Sequence, residues 1–250
     1  MYRTFYGALL MIVALAGCAS SAPPNPLPAD VPPGVGDGGE TRYACGDQHG
    51  FLPSLLDQPA IAELEDHPSA AALRSAIAEV GLDIDMLPAA GYWLVHRDDR
   101  VAEYVAGEPA GADAGLVQVT MENQGGIWKN GGWGGCRPEI VVEGLSLATW
   151  LLDPDVAPPD AATMTFTALV NERSCTGGKA MGARLQPPSI TYGRDSILVV
   201  FAARPLEGDA FECPSNPSTR VVVQLREPLG GRRLLDGAFF PPAEPVAPEF

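Results

Sequence analysis

The chain has 250 residues, 16 Lys and Arg against 31 Asp and Glu, and a net charge of −15 at pH 7. So acidic a surface argues against binding nucleic acid, whose phosphates demand a basic face, and against electrostatic docking on anionic lipid headgroups. Only two of the cations are lysine, Lys129 and Lys179.

The chain opens on a weakly cationic start, Tyr2-Arg3, and the uncharged apolar run "GALLMIVALAG" from Gly7 to Gly17. A spanning helix needs about 20 apolar residues, so this run fits the apolar region of a secretory signal peptide over residues 1–17. It ends in Leu15-Ala16-Gly17-Cys18, which looks like the lipobox of bacterial lipoproteins. Cys18 is then the acylated first residue of the mature chain, held by a lipid anchor to the extracytoplasmic face of the cell membrane. Residues 18–40, rich in proline and glycine and without an aromatic, have too little apolar surface to fold and read as a disordered tether.

With Cys18 taken as the lipid site, four cysteines remain: Cys45, Cys136, Cys175 and Cys213. An even number in an exported chain reads as two disulfides. Three connectivities are possible, and Cys45–Cys136 with Cys175–Cys213 is the favoured one because a domain boundary is read between the pairs. Metal chemistry has no support: there is no C-x-x-C, and His49, His67 and His96 share no ligand spacing. No cofactor motif is present.

From Asp57 to Gly81 the pattern is helical, divided by Pro68 into a short and a longer helix. Ala72, Leu73, Ala76, Ile77 and Val80 form its apolar stripe. From Gly91 the period changes to two, with strands over "YWLVH", "RVAEYVA", "LVQVTMEN" and "GIWKNGGW". Residues 41–152 are thus expected to form a domain of helices on a small antiparallel sheet. "DPDVAPPD", residues 153–160, reads as a linker, residues 161–240 as a β-rich domain and residues 241–250 as a disordered tail. The fold class is α+β, mostly β: short N-terminal helices on a small antiparallel sheet, followed by a β-sandwich-like C-terminal half.

The catalytic candidates fail in turn. "GLSLA", Gly144 to Ala148, resembles a degraded nucleophile elbow, but no histidine follows it in the chain. Asp153, Asp155 and Asp160 lack the rest of a calcium loop, and "CTGGKA" lacks the spacing of a phosphate-binding loop. Paired acids for glycoside hydrolysis depend on the fold and stay open. "GGIWKNGGWGGC", Gly125 to Cys136, sets Trp128 and Trp133 among six glycines, where they could present two aromatic faces to a sugar or an extended ligand. The alternative is packing, one tryptophan on the Cys136 bridge and the other closing the sheet edge. Asn171, Glu172 and Arg173 form a polar cluster beside Cys175, of a kind that commonly satisfies loop backbone groups.

The lipobox, "DHPSAAALRSAI", "GWGGCRPEIVVEGLSLATWLLDP", "NERSC" and "FECPSNPSTRVVVQLREPLGGRRLLDG" together resemble a family of lipoproteins and secreted proteins of unassigned activity from high-GC Gram-positive bacteria. The likeness covers most of residues 41–240 and transfers no catalytic residues. The expectation is an interaction or ligand-binding module of the cell envelope, with an envelope protein or a glycan as partner. A cell-envelope hydrolase with acids unpaired by sequence is the alternative.

Overall fold

The computed structural model describes residues 41–46, 48–80, 87–107, 115–208, 212 and 215–245. The signal peptide, the tether, Cys18, Gly81, Cys213 and the end of the tail, residues 246–250, lie outside the described residues.

The chain enters through β1, Tyr43–Ala44. The α-helix α1, Pro68–Val80, follows. Pro68 opens it, where a missing N–H costs nothing. His67 caps it: its carbonyl accepts the Ala71 N–H at 3.0 Å and its Nδ1 accepts the Ser69 N–H at 3.1 Å. The expected shorter helix before Pro68 is a single turn of 3-10 helix, Ala62–Leu64. There Glu63 turns inward, and its two carboxylate oxygens accept the N–H groups of Gly91 and Tyr92 at 3.1 Å each.

Four antiparallel strands come next: β2, Tyr92–Arg97; β3, Val101–Gly107; β4, Leu116–Gln124; and β5, Ile127–Cys136. Their alternation separates two faces. On one, Tyr92, Tyr104, Val119 and Met121 pack under Leu73 and Ala76 of α1. On the other, Val105 and Leu116 face the rest of the molecule.

β6, Glu139–Ile140, pairs with β1. β7, Ser146–Leu152, then begins a six-stranded sheet completed by β8, Thr165–Glu172; β9, Ser189–Tyr192; β10, Ser196–Ala203; β11, Thr219–Gln224; and β12, Arg233–Asp236. All its pairings are antiparallel except β10 with β12. The same stretch of β10 pairs with both β9 and β12, so these lie on opposite edges and the sheet curls. Phe166, Val170, Val199, Phe201 and Val223 fill the inside of the curl. At its centre is Trp150, fully buried, with Phe166 and Phe201 at ring distances of 5.7 and 5.8 Å.

The domain organisation differs from the sequence expectation. β7 lies before the proline-rich run and β8 after it, yet they are direct neighbours from Ala148↔Glu172 to Leu152↔Ala168. Residues 153–160 therefore connect two strands of one sheet. The prolines mark a break in hydrogen bonding, which a strand connection needs as much as a domain linker does. The two sheets also share a core: Val105 and Leu116 of the first meet Val200 and Leu147 of the second through Tyr43, Phe51, Ile140 and Phe239. The expected tail is partly folded. Ala243 pairs with Asp236 through two backbone bonds, and Glu244 forms an ion pair with Arg233.

Candidate functional site

β6 is the hinge on which a site is built. Ile140 stands opposite Tyr43, and the Ile140 N–H bonds the Ala238 carbonyl at 2.8 Å on the other side. At the start of this segment Cys136 closes a disulfide to Cys45, with Cα atoms 5.4 Å apart. β6, the turn after it, the start of β7 and the residues on either side of Cys45 enclose a cleft of about 440 Å³. Its apolar wall is Ala44, Ile140, Val142, Leu145 and Leu147, and its polar groups are Gln48, Glu139, Arg173 and Ser174. Arg173 pairs with Glu139 across the mouth, and the Arg137 guanidinium lies 3.9 Å from the centre of the Phe239 ring.

The polar cluster noticed in the sequence sits at this mouth, but it works differently from the expectation. Glu172 turns into the molecule and accepts two bonds from Arg184, at 2.8 and 2.5 Å. Asn171, 8 % exposed, has no partner for Oδ1 among the described residues, and neither has Oγ1 of Thr149, which stands opposite it in register. The loop carbonyls of Glu172 and Ser174 are satisfied by the Asn216 side chain, each at 2.8 Å. Sequence reading missed the role of Asn216. The signal was an asparagine between two prolines close behind a cysteine, where a short amide side chain commonly ties down a turn.

Cys45–Cys136 is present as expected, and Cys175 is disulfide-bonded. Cys213, its expected partner, lies outside the described residues; the neighbouring Glu212 carbonyl accepts the Gly177 N–H at 3.0 Å.

Trp128 and Trp133 both lie on the α1 face and pack half-buried against the core that α1 covers. The Trp128 ring meets the His67 ring edge-on at 5.7 Å. Neither is against the Cys136 bridge.

Two further groups were not legible in sequence. The His49 N–H and ring Nδ1 both lie against Oε2 of the buried Glu103, at 2.9 and 3.1 Å, while its ring stacks on His96 at 3.5 Å. The residues come from a loop and two strands, so no spacing announces them. Asp236 lies beside Trp150 at the end of the curled core, 2 % exposed. Burial pushes its carboxyl up to about 7, against the Ala238 N–H, the Arg137 charge, the Trp150 indole and the Arg173 charge, which favour the ionised form. Asp153, at the start of the run read as a linker, is buried and paired with Arg220 at 2.8 Å.

Among the described residues no group of three or more His, Cys, Asp or Glu is arranged to hold a metal ion, and no helix is long and apolar enough to cross a membrane. No family model matches the chain, and neither the curated proteins nor the solved structures contain a significant match.

Proposed function

We propose that this chain is a lipid-anchored extracytoplasmic lipoprotein that serves as a ligand-binding module of the cell envelope, taking its ligand in the cleft beside Cys45–Cys136. The cleft is the observation that carries this reading. Its volume of about 440 Å³ falls in the range of small-ligand sites, and an apolar wall with a few convergent polar groups is their usual chemistry. The disulfide supports an oxidising compartment, and Leu15-Ala16-Gly17-Cys18 with its resemblance to a lipobox supports the anchor.

A photo-crosslinking amino acid in place of Val141, on the cleft wall, tests the binding reading in intact cells. Val156, outside the cleft, serves as the control position. A discrete adduct from position 141 and none from 156 is expected; identical adducts or none at either position overturn it. Separately, Cys18→Ser is expected to shift the protein from the membrane to the soluble or uncleaved fraction, and normal membrane retention removes the anchor.

A second reading, an envelope hydrolase, has one observation in its favour. The buried Glu103 fixes the His49 ring through Nδ1 and leaves Nε2 pointing away from that bond, the arrangement of an oriented general base. Ester turnover that disappears in His49→Gln would support it.

A further inference from the structure

β5 is the outermost strand of its sheet. One edge pairs with β4 from Leu116↔Cys136 to Gln124↔Ile127, and no strand pairs with the other edge among the described residues. An unpaired edge presents backbone N–H and C=O groups to solvent, and proteins commonly blunt it with proline, charge or a covering element. β5 has ten residues, no proline and one charge, Lys129. That charge is balanced locally, because Lys129 stands opposite Glu122. Ile127 is 62 % exposed, and Lys129, Asn130 and Gly135 are exposed as well. A Cβ built on Gly132, Gly134 or Gly135 meets nothing within 4 Å, so the sheet faces above and below this stretch have room for the side chains of a neighbouring strand.

We propose that the free edge of β5 receives an extended, basic peptide segment of a protein partner, which adds to the sheet as a fifth strand. In such pairing the backbone supplies affinity and alternate side chains supply specificity. On the α1 face, guest side chains fall beside Trp128 and Trp133, which are half-buried and keep an open flank. On the other face the glycines offer no side chain to collide with. Charge selects the occupant. A second copy would bring one surface of net charge −15 against another, whereas a basic segment is attracted to it. This proposal is independent of the cleft.

The test uses the purified protein and two end-blocked, labelled probes, KVKVKVKV and EVEVEVEV, followed by fluorescence anisotropy. Successive residues of a strand aim their N–H groups alternately at one edge and the other. Of Gly134→Pro and Gly135→Pro, one therefore removes a bond to β4 and the other only an outward donor. KVKVKVKV is expected to bind at least about tenfold more tightly than EVEVEVEV. The proline variant that keeps the wild-type melting temperature is expected to lose about tenfold or more of that affinity. Should both proline variants unfold, Gly134→Lys/Gly135→Lys keeps every N–H, adds two charges beside the edge, and is expected to weaken KVKVKVKV by a similar factor. No binding by KVKVKVKV, equal binding by both probes, or binding that survives in the folded variants overturns the proposal. A concentration-dependent dimer that the folded variant abolishes also overturns it, by giving the edge to a second copy.

Discussion

Trp128 and Trp133 lie on one face of β5 although five positions separate them, an odd number that would put them on opposite faces of a regular strand. Trp133 is paired with Val119 and Trp128 with Asn123, and the register slips between Thr120 and Met121, where Gly131 is the extra residue. The bulge restores the phase and sets both indoles under α1. Bulges of this kind are structural devices that re-aim side chains.

Deleting Gly131 should therefore cost far more than changing it. Deletion turns Trp128 away from α1 and is expected to cost about 2–4 kcal/mol, near the range for truncating a large buried side chain. The atoms nearest a Cβ on Gly131 belong to the Glu122 side chain, its Cγ at 2.7 Å, so Gly131→Ala needs that side chain to rotate about its first bond but leaves the strand's phase intact. Urea unfolding followed by tryptophan fluorescence separates the two; equal losses would remove the phase argument.

Glu172 and Arg184 form a second testable pair. The Glu172 side chain is 1 % exposed and has two bonds from Arg184. Removing the cation alone, Arg184→Met, leaves a buried carboxylate unpaired and should cost about 3–5 kcal/mol. Adding Glu172→Leu to that variant should restore much of the loss, since two apolar side chains need no partner. A double-mutant cycle in urea measures the coupling.

Asp236 predicts a pH dependence with a definite sign. An unfolded aspartate titrates near 3.9, whereas burial raises Asp236 to about 7 in the fold. Between these values the folded state holds a proton that the unfolded state has lost. Its contribution is complete below about pH 4, falls as pH rises towards 7, and is constant above, a change of order 4 kcal/mol. Asp236→Asn should keep the bond to the Ala238 N–H and abolish this slope. The measurement is the stability difference between wild type and variant at pH 5 and pH 8; a difference that does not change with pH contradicts the assignment.

Cys45 and Cys136 close a loop with a sequence separation of 91, for which chain entropy assigns about 4–5 kcal/mol. Cys45→Ala/Cys136→Ala should lose stability of that order. In denaturant the chain acylated at Cys18, as proposed, should show no free thiol before reduction and four after. A free thiol before reduction would mean that a bridge is incomplete or that Cys18 is not acylated, and Cys18→Ser separates the two.

Local patterning was legible where the chain's own periodicity carries the information. The alternation in "RVAEYVA" and "LVQVTMEN" marked β3 and β4 because one face of a sheet must be apolar and the other less so. The Cys45–Cys136 pairing was anticipated, but for a reason the fold revises: the two are joined inside a core shared by both sheets, and residues 153–160 connect two paired strands of one sheet. β12 falls within residues 161–240, read from sequence only as β-rich, and its four residues become a strand because β10 lies beside them.

By itself, then, the sequence determined a mostly β chain, its strand alternation, a helix that begins at the division made by Pro68 and an even set of cysteines for the folded part. Each of these is set by neighbours a few positions apart or by simple counting. Only the tertiary structure decided that the proline-rich run lies within one sheet, that a bulge sets both tryptophans on the α1 face, and that a cleft opens beside the disulfide. It alone brought His49 to Glu103 and Asp236 to Trp150. Those relationships join residues tens of positions apart, and which of them meet is fixed by strand order and register, which become definite only when the apolar faces are buried together.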